Sequence, residues 1–77
     1  MGKRITAIDL GTHTISVLVC EEENDGIRVI AYERTNSDGI KKGIIYNIQK
    51  TMIALRMLIN KIQEEKGITI NEAVVNI

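Results

Sequence analysis

The first half of the chain consists of short apolar runs rich in β-branched side chains. Residues 5–9 (ITAID) and 15–20 (ISVLVC) are two such runs. Residues 27–33 (IRVIAYE) form a third, with Ile27, Val29 and Ala31 alternating against Arg28, Ile30 and Tyr32. Period and residue type predict three strands. Asn24-Asp25-Gly26 separates the second from the third, and Asn and Gly tolerate the positive φ of a tight hairpin turn. Residues 11–14 are too few for a crossover helix, so the first two strands should also be antiparallel. The first half reads as a three-stranded meander.

The pattern then changes. Asn36, Ser37, Asp38, Gly39 and Gly43 mark a loop, and residues 44–46 are a short apolar piece. Asn47 stands where an N-cap belongs, its side-chain oxygen able to accept an amide of the first turn. A helix is predicted over residues 48–66, ended by Gly67 at C′. Its apolar stripe is Ile48, Met52, Leu55, Ile59 and Ile62, flanked by Leu58. Ile53 and Met57 fall on the far side, among Lys50, Asn60, Lys61 and Glu64. They are either ordinary exposed apolar residues or covered by further chain. Residues 68–70 extend briefly, and residues 73–77 (AVVNI) read as a buried strand. Third strand, helix and last strand fit a right-handed crossover into one sheet. The predicted class is therefore α/β, a mixed β-β-β-α-β sheet with one helix on one face. A sheet with a parallel crossover normally has both faces covered, and nothing here covers the second.

Composition sharpens that point. The chain has 77 residues, 44% hydrophobic and 26% charged, with no Pro, Phe or Trp and two Tyr. The core must be aliphatic. Ordering costs about 1.5 kcal/mol per residue, and aliphatic burial at about 25 cal/mol/Å² barely offsets it at this size. A single cysteine, Cys20, excludes an intrachain disulfide and a cysteine-based zinc site. The chain thus reads as a piece of something larger. Ten Lys and Arg balance ten Asp and Glu, which argues against general nucleic-acid or anionic-membrane binding. No apolar run approaches the ~18 residues of a membrane span. The opening MGKRITAIDLG meets Asp9 too early for a signal-peptide core. A cytoplasmic chain with no membrane contact of its own is the expectation.

Candidate chemistry lies in one stretch, Ile8-Asp9-Leu10-Gly11-Thr12-His13-Thr14-Ile15. A carboxylate ends a strand, a glycine follows two positions later, and hydroxyl residues lead into the next strand. Gly11 allows backbone to approach an oxyanion, and successive amides of residues 11–14 can form an anion-binding nest. Thr12 and Thr14 add hydroxyl donors. Asp9 would repel phosphate unless a divalent cation lay between them, and Mg²⁺ is commonly held by one or two carboxylates plus phosphates. The same residue types also suit a plain hairpin loop, and that reading stands beside the first. No Walker A loop and no Rossmann glycine fingerprint occurs.

The order strand, D-x-G-T turn, strand, turn, strand resembles the opening of the actin, chaperone-ATPase and sugar-kinase superfamily, where this turn is the first phosphate motif. Within it the chain resembles the FtsA family of bacterial cell-division proteins. Gly39, Gly43, Ile45, Asn47, Ile48 and Thr51 are similar to that family's G-x-x-x-G-x-[IV]-x-[ND]-[IL]-x-x-T entry into the first helix. Val74, Val75, Asn76 and Ile77 resemble the strand before its inserted subdomain. The resemblance implies that residues 1–77 are the N-terminal portion of an actin-like (ribonuclease H-like) ATPase lobe. It implies ATP and Mg²⁺ as cofactors of the whole protein. Asp9 would act on a water-bridged Mg²⁺, and Gly11, Thr12, His13 and Thr14 would contact phosphate. No catalytic residue is assigned. The family polymerises and tethers FtsZ filaments to the inner face of the membrane. Many superfamily members carry a Lys near this turn, whereas here no basic residue except His13 stands between Arg4 and Arg28, so ATP hydrolysis is less supported than binding. The 77-residue chain alone should be inactive and could form a homodimer. The alternatives are a pilus-assembly actin-like ATPase, a sugar kinase or chaperone ATPase, or a small self-associating module without nucleotide binding.

Other conspicuous residues carry bland readings. His13 is a loop residue using its backbone. Cys20 is a small buried hydrophobe. Glu21, Glu22 and Glu23 form a solvated acidic loop. Lys41 and Lys42 face solvent.

Overall fold

The meander of the first half is present in the structure, a computed structural model describing residues 3–37, 39–41 and 44–77. Strands β1 (Arg4–Leu10), β2 (Thr14–Glu23) and β3 (Gly26–Asn36) pair antiparallel in turn. Gly26, at φ 148°, leaves the β2–β3 hairpin in a conformation that side chains disfavour. A two-stranded ribbon follows, β4 (Ile40–Lys41) with β5 (Ile44–Ile45). Helix α1 (Ile48–Lys66) leads back to β6 (Val74–Asn76), which pairs parallel with β1. The main sheet has the order β3-β2-β1-β6. This is the α/β mixed sheet expected. Asp38, Lys42 and Gly43, named above as loop residues, lie outside the described residues.

The helix ends fall where the capping residues put them. Asn47 Oδ1 accepts the Lys50 amide at 3.0 Å. Gly67, at φ 64°, sends its amide to the Gln63 carbonyl.

Register decides which face is core. Thr6, Ile8 and Leu10 stand beside Val19, Val17 and Ile15, and Val19 stands beside Ala31. All are buried, and Ile40, Leu58 and Ile62 complete the cluster with them. The other face carries Ile5, Ala7, Leu18, Cys20, Tyr32 and Val74, half-buried or exposed, with no helix over it among the described residues.

Several expectations are corrected. The helix buries Thr51, Leu58 and Ile62, with Ala54, Leu55 and Ile59 beside them, while Ile48 (64%) and Met52 (50%) stay exposed. At 100° per residue the buried face is turned about 60° from the predicted stripe. Thr51 is the reason: its hydroxyl donates to the Asn47 carbonyl at 3.0 Å, so a polar residue can face inward without an unmet hydrogen bond. Strand β6 is in the sheet but exposed, because it is an outer strand. Residues 68–70 form no strand; the Ile70 amide bonds Gln63 Oε1 instead. Cys20 is a free thiol and only half-buried, since it points to the uncovered face.

The acidic run is strand rather than loop. Glu21, Glu22 and Glu23 complete β2, and Arg28 bridges Glu21 and Glu23 at 3.0 Å each. Glu21 and Arg28 are direct cross-strand partners, and that pairing offsets the like charges. Ile27 and Val29 are exposed despite the alternation, because the pairing of β2 with β3 shifts register between Val19 and Cys20. Lys41 is exposed, with Nζ 5.8 Å from the centre of the Tyr46 ring.

Candidate functional site: the turn between β1 and β2

Asp9 is the penultimate residue of β1 and is exposed. The chain reverses through residues 11–14. The Gly11 amide donates to the Thr14 carbonyl at 2.9 Å, which closes the turn. A Cβ on Gly11 would stand 3.0 Å from that carbonyl oxygen, tighter than backbone tolerates without shifting. Gly11 thus lies close against the turn's own carbonyl, and its N–H is committed inside the turn. Thr12 and His13 form the tip. Among the described residues their amides donate to no main-chain carbonyl. Thr12, His13 and Thr14 are all exposed.

Two contacts fix this turn from outside. The Ser37 amide, just past β3, donates to the His13 carbonyl at 2.9 Å. The Asn76 amide nitrogen donates to Asp9 Oδ1 at 3.3 Å. From sequence Ser37 reads only as loop and Asn76 only as part of the last strand, neither as a partner of this turn. Ser37 acts through its backbone, which leaves no residue signature. Asn76 did leave one: it is a polar residue inside the apolar run AVVNI.

All five sequence-selected residues, Asp9, Gly11, Thr12, His13 and Thr14, therefore lie at one end of the sheet. The carboxyl ends of the parallel strands β1 and β6 meet there. Crevices at such strand ends are where α/β sheets take their ligands. Among the described residues no three His, Cys, Asp or Glu side chains converge as a metal cage. A single carboxylate beside hydroxyls and open amides is a donor set for a hydrated Mg²⁺ shared with phosphate, since Mg²⁺ keeps several of its waters. The tight turn closed at Gly11 leaves the Thr12 and His13 amides outward at its tip, and with Asp9 at the same sheet end the residues present fit that ion and a phosphate together.

The chain as a whole is similar to known proteins. The chain is 37% identical over 65 residues, 84% of its length, to the cell division protein FtsA of Streptococcus pneumoniae. It is 35% identical over 77 residues, 99% of its length, to the FtsA of Pseudomonas aeruginosa. This is an FtsA-type sequence. The FtsA of Bacillus subtilis is 28% identical over 71 residues. The chain spans 14%, 18% and 16% of these three FtsA proteins. No family model matches the chain. Its backbone resembles the crystal structure of an exopolyphosphatase from Cytophaga hutchinsonii, with a TM-score of 0.66 and 23% identity. That likeness covers 95% of this chain and 24% of the exopolyphosphatase, and it speaks for the fold alone, a mixed α/β sheet of the actin-like type. Among the described residues no helix of this FtsA-like chain is long and apolar enough to cross a membrane.

Proposed function

We propose that these residues are the N-terminal portion of an actin-like ATPase subdomain in an FtsA-like protein, and that they carry its first phosphate-binding turn. The observation that carries the reading is the turn itself. A carboxylate near a strand's carboxyl end stands two positions before a glycine whose Cβ would crowd the turn's own carbonyl, and among the described residues the next two amides donate to no main-chain carbonyl. Asp9 holds a water of a bound Mg²⁺. Gly11 closes the turn, the Thr12 and His13 amides donate to phosphate oxygens, and the Thr12 and Thr14 hydroxyls add donors. The Mg²⁺ supplies charge neutralisation between Asp9 and the phosphates. In the whole protein the ligand is ATP, the partners are FtsZ filaments and further copies of itself, and the location is the cytoplasmic face of the cell membrane. The turn supplies only part of a nucleotide site, so the 77-residue chain alone does not turn over ATP. In isolation it pairs with a second copy through the uncovered sheet face.

Calorimetric titration of MgATP into the full-length protein tests the site. Asp9→Ala should weaken binding at least about tenfold, equivalent to about 1.4 kcal/mol. Unchanged affinity in that variant overturns the assignment.

A further inference from the structure

Asp9 and Asn76 are separated by 67 positions in the chain but are direct neighbours across the β1–β6 pair. Parallel register puts both side chains on the sheet face away from α1, at the carboxyl ends of their strands. We propose that Asn76 is a positioning residue for the Asp9 carboxylate: its amide holds Oδ1 and so turns Oδ2 toward the cation-bound water. The inference rests on the magnesium–phosphate reading of the turn.

The chemistry of the pair supports this role. A carboxylate offers about four lone-pair positions on two oxygens. Among the described residues the Asn76 amide is the side-chain donor that reaches them, and it reaches Oδ1. Oδ2 is left to solvent and to whatever the turn holds. An amide donor is neutral. It fixes the carboxylate's rotation without cancelling the negative charge that a cation requires, as a Lys or Arg in the same place would. The amide's own oxygen remains free to accept a hydrogen from a water of the cation. Groups that orient a metal's carboxylate in this way commonly alter its affinity by about 10–100-fold when removed. A water-bridged contact lies at or below the bottom of that range.

The surroundings separate this role from a packing role. Val74, Val75 and Ile77 flank Asn76, and an apolar residue at position 76 would continue the run. Both members of the pair are exposed, so the bond is a weak holder of the sheet. An Asn here has little to do for stability and a specific thing to do for Asp9.

The test uses the full-length protein. ATP affinity is measured as Mg²⁺ is titrated, and again in EDTA, for wild type, Asp9→Ala, Asn76→Leu, Asn76→Ala and Asn76→Gln; thermal melts are recorded alongside. The Leu and Ala variants should need about three- to tenfold more Mg²⁺ for half-maximal enhancement of ATP binding. Their affinity in EDTA and their melting temperatures should match wild type. The Gln variant keeps an amide donor and should recover part of the effect. If Asp9→Ala abolishes the Mg²⁺ dependence while Asn76→Leu and Asn76→Ala leave it untouched, the positioning role is wrong and the site stands. If Asn76→Leu and Asn76→Ala weaken ATP equally with and without Mg²⁺, Asn76 acts on the fold and the inference is likewise overturned. If Asp9→Ala itself leaves the Mg²⁺ dependence unchanged, both the site and the inference fall.

Discussion

Gly39 is the position where the structure makes its sharpest demand on a single residue. A Cβ built there would lie 2.5 Å from the Asn47 carbonyl oxygen and 2.5 Å from Thr51 Oγ1. Ordinary contacts at a Cβ begin near 3.4 Å. The glycine is not needed for its dihedrals, since among the described glycines only Gly26 and Gly67 have positive φ. It is needed for space. Its carbonyl accepts the Tyr46 and Asn47 amides at 2.8 and 3.1 Å, which clamps the loop onto the start of α1. In Gly39→Ala the loop or the helix start must move by nearly an ångström against buried backbone. Forcing an added methyl into a packed site costs about 1–3 kcal/mol. Displacing Asn47 from its capping position costs about 1 kcal/mol more. The sum is about 2–4 kcal/mol, and a domain of this size loses about 4–8 °C of melting temperature per kcal/mol. Thermal and urea melts followed by helix ellipticity, at matched protein concentration, should show a drop of about 8 °C or more. Gly67→Ala is the contrast. Its Cβ meets nothing within 4 Å but its φ is 64°, so it should cost about 1 kcal/mol through backbone strain alone. A Gly39→Ala melt within about 2 °C of wild type would show that the loop–helix contact is loose and refute the steric argument.

Further outcomes follow from the packing and the charges. Leu58→Ala should cost about 2–5 kcal/mol, because Leu58 is in the core, whereas Met57→Ala, one position earlier and exposed, should stay within about 0.5 kcal/mol; comparable losses would mean the helix faces elsewhere. Lys61 Nζ lies 3.1 Å from Glu33 Oε1, and that hydrogen bond, with the charges of Glu33 and Glu65, raises the Lys61 pKa above its ordinary 10.5. A raised lysine pKa stabilises the fold below the unfolded value, and the contribution is lost as pH rises through the folded value. The gap in melting temperature between wild type and Glu33→Gln should therefore be constant from pH 7 to 9 and close above about pH 10.5. A gap that persists at pH 11.5 would assign the difference to something other than this pair.

The sequence makes local features legible and distant ones much less so. Asn47 and Gly67 locate both ends of α1 because capping is chemistry within four residues of the end. Asn24-Asp25-Gly26 locates the hairpin for the same reason. The helix face is misjudged because Thr51 counts as polar in any periodicity, while in the fold its hydroxyl is satisfied by its own helix. Gly39 is legible as a loop residue, but the close approach that requires it involves a helix that begins nine positions later. At the candidate site, Asp9 and residues 11–14 are visible because they are contiguous. Asn76 is not, because its relation to Asp9 exists only once β6 returns beside β1.

The measurement that bears most directly on the account is a crystal structure of the full-length protein with Mg²⁺ and a non-hydrolysable ATP analogue. The account expects the terminal phosphates against the Thr12 and His13 amides, a Mg²⁺ linked to Asp9 Oδ2 through one water, and Asn76 still on Oδ1. A nucleotide seated away from the β1–β2 turn, with Asp9 touching no water of the cation, would contradict it.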